Sequence, residues 1–113
     1  MFSNSALAAA ICLASLSAAS AVKAQNATEI AISYKDKKFD PPEISAPADK
    51  PIVIKLKNLD SKAMEFESKT LKVEKVVAGG ASATINVRVQ KAGRYEFFDE
   101  YNEATARGAL VVK

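Results

Sequence analysis

Apolar residues run almost unbroken from Ala6 to Val22, then give way to short stretches in which apolar and polar positions alternate. The first run is Ala-rich and ends in Val22-Lys23-Ala24, whose small residues suit removal of a leader by signal peptidase after Ala24. Residues 1–24 are therefore expected to be a signal peptide and residues 25–113 one mature domain. The run is short for a membrane span and is interrupted by Ser15, Ser17 and Ser20. Cys12 sits mid-run after Ile11, which is unsuited to lipid attachment. The expected destination is the periplasm, without insertion into the membrane after cleavage.

Beyond the leader the period is two, the signature of half-buried strands. Ile30, Ile32 and Tyr34 alternate with Glu29, Ala31 and Ser33; Ile52, Ile54 and Leu56 alternate with Lys55 and Lys57. Lys35 to Lys38 reads as a solvated turn and Phe39-Asp40-Pro41-Pro42 as a break. A short extended piece starts at Ile44 and stops at Pro47, and another covers Met64 to Glu67. Leu71 and Val73 share a parity that Val76 does not follow, which predicts a bulge near Glu74-Lys75. Ile85, Val87 and Val89 form the next inward set, then Tyr95 and Phe97, and Ala109 to Val112 close the domain. One helical piece is expected, over Asn102 to Arg107. Many short strands with regular turn signals predict an all-β sandwich or barrel.

Composition narrows the chemistry. A net charge of +3 with no Arg-rich stripe gives no footprint for nucleic acid. The chain has no histidine, and its one cysteine, Cys12, lies in the leader. The mature domain can therefore form no disulfide, no Ser-His or Cys nucleophile and no thiolate or imidazole metal site. Carboxylates, Met, Tyr, Lys, Arg and backbone remain. The sequon Asn26-Ala27-Thr28 is expected to be idle behind a bacterial-type export signal.

Four segments, in order, carry a resemblance. Phe39-Asp40-Pro41-Pro42-Glu43-Ile44 is similar to the opening F-x-P-x-x-I of cupredoxins. Ile52 to Asn58 followed by Met64-Glu65-Phe66 resembles their N…H-x-F segment. Tyr95-Glu96-Phe97-Phe98-Asp99 resembles Y-x-F-x-C, and Arg107 to Val112 the closing G-x-L-x-V strand. The resemblance implies a cupredoxin-like Greek-key β-sandwich. Met64 stands at its first His position and Asp99 at its Cys position; no second His falls within Asn102 to Ala104 and no axial Met near Ala106 or Arg107. Blue-copper ligation needs two imidazoles and a thiolate.

Glu65-Phe66-Glu67-Ser68, then Leu71, Glu74-Lys75-Val76-Val77 and Gly79, then Tyr95-Glu96-Phe97-Phe98 and Thr105 to Val112, resemble a narrower branch. It is the cupredoxin-like periplasmic component of bacterial ferrous-iron uptake systems with an oxidase-dependent permease. The cupredoxin domain of the acid-induced iron-uptake protein of that class carries the same pattern. The resemblance implies handling of Fe(II) or Fe(III), beside a second periplasmic iron-binding protein and an inner-membrane iron permease, and assistance to Fe(II) oxidation.

The residues speak to metal independently. Carboxylates are hard ligands suited to iron, manganese, calcium or magnesium, and like charges about 4 Å apart repel by roughly 1–4 kcal/mol unless a cation or a proton relieves them. Strand parity turns Met64, Phe66 and Asp99 inward, toward the position of the lost copper, with Glu100, Asn102 or Glu103 in the adjoining loop. Glu65 and Glu67 share the opposite face, about 7 Å apart. Candidate metal ligands are thus Asp99, Glu100, Glu103, Glu65, Glu67 and Met64, in one site or two, with the place of Glu74 open. Against this stand plainer readings: Glu65 and Glu67 as a wet strand face with Lys69 and Lys72, Glu103–Arg107 as a solvated i,i+4 pair, Met64 as core, Phe98 as outward packing or a partner surface.

Three functions remain open at this level. The first is an iron-handling accessory protein, the second a copper-binding redox protein with a non-blue Met/carboxylate site, and the third a metal-free adaptor. Catalysis by this chain alone is not expected, because carboxylates supply no acceptor for an electron from Fe(II).

Overall fold

A computed structural model describes residues 26–88 and 90–113. The expected leader, with Cys12, and Val89, expected as an inward strand residue, lie outside them. The described residues form nine strands: β1 (Thr28–Lys35), β2 (Lys38–Asp40), β3 (Glu43–Ala46), β4 (Ile52–Asn58), β5 (Met64–Ser68), β6 (Val73–Val77), β7 (Ser82–Val87), β8 (Gly93–Asp99) and β9 (Arg107–Val112). They make a four-stranded sheet, β2-β1-β4-β7, and a five-stranded sheet, β3-β9-β8-β5-β6. This is the all-β sandwich that the alternation predicts, in the cupredoxin-like form that the resemblance implies. The β1–β4 and β3–β9 pairs are parallel and join strands distant in sequence.

The predicted inward sets meet between the sheets. Ile32, Tyr34, Ile52, Ile54, Leu56, Ile85 and Val87 of the smaller sheet face Ile44, Met64, Phe66, Val77, Phe97 and Leu110 of the larger. At one end four rings interlock: Phe39 meets Tyr34, Phe66 and Phe97 edge-on at 5.2, 6.1 and 5.0 Å between centroids, and Phe66 stacks on Phe97 at 4.9 Å. Edge-on and offset contacts match the quadrupoles of the rings.

Three local expectations need correction. Phe39 lies in the short strand β2, not in a break: Asp36 and Lys37 take positive φ (52° and 59°) and fold β1 back onto β2 in a tight hairpin. No bulge interrupts β6, whose register against β5 is continuous from Ser68↔Val73 to Met64↔Val77. Val77, not Val76, carries the inward parity; Lys75 shares it but sits on an edge strand, where its side chain reaches water. The helical turn falls at Glu100–Asn102 as one 3₁₀ turn, while Arg107 already begins β9. It is placed early because Asp99 caps it, its carboxylate accepting from the Tyr101 amide.

Candidate functional site

Two groups of polar residues lie on opposite faces of β5. The inner one centres on Asp99, whose side chain is fully buried at the end of β8. Each carboxylate oxygen has two donors. Oδ1 accepts from the Glu65 amide at 2.9 Å and the Tyr101 amide at 3.1 Å. Oδ2 accepts from the Tyr34 hydroxyl and from Asn102 Nδ2 at 2.9 Å. Burial raises the Asp99 pKa, but the bonds from Asn102, Tyr34 and the two amides outweigh it and leave the carboxyl below its ordinary value. Burial, reinforced by the bond to Asp99 and its charge, pushes the Tyr34 phenol well above its ordinary range. Met64 is inward as predicted and packs within the apolar core.

The outer group is a set of carboxylates. Alternation puts Glu65 and Glu67 on the outer face of β5, and the register sets Glu74 directly opposite Glu67 and Val76 opposite Glu65. The 3₁₀ turn brings Glu100 to the same place, within hydrogen-bonding reach of Glu67. A hydrogen bond shared with Glu100, then burial, then the charges of Glu100, Glu74 and Glu65 lift Glu67 to about 7. Glu65 is raised by burial first, then by Glu74, Glu100 and Asp99. It is only 9% exposed, and its carboxylate has no hydrogen-bond or ion-pair partner among the described residues.

The neighbouring cations are held elsewhere. Phe98, opposite Glu67 on β8, is covered by Lys69, its ammonium 5.9 Å from the ring centroid, and by Arg107, its guanidinium 5.5 Å away. Arg107 also pairs with Glu103 at 3.1 Å, and Arg94 pairs with Glu43 at 2.8 Å. Neither ion pair includes Glu65, Glu67, Glu74 or Glu100. Four acids therefore share one surface with no neutralising side chain bonded to them among the described residues.

Of the six predicted ligands, the structure brings Glu65, Glu67 and Glu100 together. Glu103 is turned to Arg107 beside Phe98, and Asp99 and Met64 lie inside the sandwich on the other side of β5. Sequence reasoning left Glu74 open; the β5–β6 register supplies it. It also passed over Tyr34 as a polar residue, although a tyrosine ending an inward strand set must find a partner for its hydroxyl. Among the described residues, no three acids, histidines or cysteines already converge as a metal cage. Ligation by the outer acids would need side-chain rotation, which the exposed Glu74 and Glu100 are free to make.

Comparison with known proteins adds to this geometry. The family model of the cupredoxin-like domain matches residues 5–112. The uncharacterized protein RP394 of Rickettsia prowazekii (strain Madrid E) is 36% identical over 87 residues, which span 77% of this chain and 70% of that protein. The metal-binding domain of the Streptococcus pneumoniae D39 Cu(I)-exporting P-type ATPase CopA, solved with Cu(I), matches with a TM-score of 0.70 at 17% identity, over 78% of this chain and 87% of that one. Auracyanin A, a blue copper protein of Chloroflexus aurantiacus, matches with a TM-score of 0.66 at 15% identity, over 77% of this chain and 99% of its own. At these identities the structural likeness speaks for the fold.

Proposed function

We propose, for a chain that belongs to the cupredoxin-like domain family, that it is a periplasmic accessory protein of iron uptake which holds iron as cargo on the outer carboxylates Glu65, Glu67, Glu74 and Glu100. The observation that carries this reading is that, among the described residues, no cationic side chain pairs with these four acids, while Lys69 and Arg107 are drawn onto Phe98. A site of this kind attracts a hard cation, because its Coulomb attraction to the ionised acids offsets their mutual repulsion. Oxygen donors alone favour Fe(II) or Fe(III) over Cu(I), which seeks sulfur. The surface is open to exchange with a second periplasmic iron-binding protein and delivery to an inner-membrane permease.

The copper bound by the CopA domain and by auracyanin A raises a second reading, a Met64/Asp99 copper site. The donor chemistry of this chain fits it poorly. Residues 26–113 hold no histidine or cysteine, and both oxygens of Asp99 are already engaged by donors. Assistance to Fe(II) oxidation would fall to a partner able to take the electron.

Anaerobic Fe(II) titration of the purified protein by calorimetry near neutral pH tests the proposal, repeated with a Glu67→Gln, Glu100→Gln variant. Saturable binding that the variant loses supports it. Binding should weaken as pH falls, because the acids must shed their protons to ligate. Absence of heat in the unaltered protein defeats it and leaves the metal-free adaptor.

A further inference from the structure

Asp99 is hydrogen-bonded to the outer group through two backbone amides, and its charge is also felt at Glu65. Its Oδ1 accepts from the amide of Glu65, the most buried of those acids, and from the amide of Tyr101, the residue after Glu100. The first bond fixes β5 at the point where Glu65 leaves it. The second caps the 3₁₀ turn that presents Glu100. Both arms of the outer cluster, one from the strand and one from the turn, are thus held on a single oxygen atom. Oδ2 faces the other way and is spent on Tyr34 and Asn102.

We infer that Asp99 is the positioning residue of the outer carboxylate site, setting Glu65 and Glu100 at a common cation through the two amides bound to its Oδ1. This rests on reading those acids as a cation site.

The division of labour between the two oxygens makes the inference testable. In Asp99→Asn the amide oxygen can still accept from Glu65 and Tyr101, while the new NH₂ meets the Tyr34 oxygen and Asn102 can rotate its amide to present a carbonyl. In Asp99→Ala the acceptor is gone. Tyr34→Phe removes a bond to Oδ2 only. For the full protein and these variants, three quantities are measured: Fe(II) affinity by anaerobic calorimetry, thermal unfolding, and hydrogen exchange of the Glu65 and Tyr101 amides without metal. We expect Tyr34→Phe to lower the unfolding temperature with affinity and amide protection unchanged. Asp99→Asn should keep affinity within a few-fold, whereas Asp99→Ala should lose about tenfold or more together with protection of both amides.

Loss of Fe(II) binding in Asp99→Asn with both amides still protected would make Asp99 a ligand and overturn the inference. So would affinity losses that track the fall in stability equally in Tyr34→Phe and Asp99→Ala. If Asp99→Ala does not fold, the contrast between Asp99→Asn and Tyr34→Phe decides. If the unaltered protein takes up no Fe(II), the site reading fails by itself, and amide exchange still shows whether Oδ1 holds the two arms: unchanged protection in a folded Asp99→Ala overturns that too.

Discussion

The hydroxyl of Tyr34, at the end of β1, donates to the carboxylate of Asp99, at the end of β8, joining the two sheets across the sandwich. The residues are 65 positions apart in the chain and both are buried. Asp99 lies inside the protein as an anion that forms no ion pair among the described residues. Dipoles alone hold it: two amides, a phenol and a carboxamide. A buried charge survives only when its hydrogen-bonding capacity is met, and here each oxygen has two donors.

Tyr34→Phe should therefore destabilise the fold by about 1–3 kcal/mol, the cost of stripping one donor from a buried charged acceptor. The added packing change is small, since the ring stays edge-on to Phe39. Urea unfolding at neutral pH measures it. A loss near zero would mean that water replaces the phenol and that the end of the sandwich is less dry than its burial indicates.

The acids give stability two opposed dependences on pH. Glu67 holds its proton up to about 7 when folded, against an ordinary value of 4.5. The folded state binds the extra proton, so stability is greatest below the ordinary value and is lost as pH rises from there to about 7. Asp99 is shifted down, so its contribution is present above the ordinary carboxyl range and is lost in acid. Without metal, the unfolding temperature should fall between about pH 5 and pH 7.5, and Glu67→Gln should flatten that slope. A slope unchanged by Glu67→Gln would show that the repulsion is relieved in some other way.

The sequence exposed the period-two strands readily, because Ile30, Ile32 and Tyr34, or Ile52, Ile54 and Leu56, declare a buried face without outside help. It misled where a lysine took an inward parity. Lys75 can escape to water only because β6 is an edge strand, and edge position is a property of the whole sheet. The site divides in the same way. That Glu65 and Glu67 share a face follows from alternation, whereas the approach of Glu74 depends on a register set by the turn after Ser68. Inward parity at the end of β8 makes Asp99 a candidate ligand. Its partners come from β1, β5 and the following turn, and no local pattern announces them.

Close packing at Gly108 offers a test of the fold itself. A Cβ there would lie 2.5 Å from a Phe97 ring carbon and 2.7 Å from the Pro42 carbonyl oxygen, both held by the paired strands around them. Gly108→Ala should cost about 1–3 kcal/mol through overpacking. Thermal unfolding reads the loss, and a neutral result would mean that Phe97 can leave its stack on Phe66.

Copper binding, if forced, should carry a distinctive absence. Intense blue absorption arises at a copper–thiolate bond held with imidazoles, and residues 26–113 contain neither donor. Cu(II) added to protein lacking residues 1–24 should give only weak visible absorption. Strong absorption like that of a blue copper protein would overturn the account of the donor set.

Phe98 offers the sharpest control over the outer site. Its ring holds Lys69 and Arg107 by cation–π contact, at 5.9 and 5.5 Å from its centroid, one strand away from Glu67. Phe98→Leu keeps an apolar cover over the sheet but removes the quadrupole that attracts both cations. Released, either side chain can swing toward Glu67 and compete with a metal ion. Fe(II) affinity should then fall several-fold, about what a single nearby opposing charge produces at a partly exposed site. Glu67 should also titrate nearer its ordinary value, because a cation favours its ionised form. Carbon-detected NMR of the glutamate carboxyls, with and without Fe(II)-mimicking Mg(II), checks both effects. Unaltered titration and affinity in Phe98→Leu would show that Lys69 and Arg107 are kept from the acids by their own geometry, not by the ring.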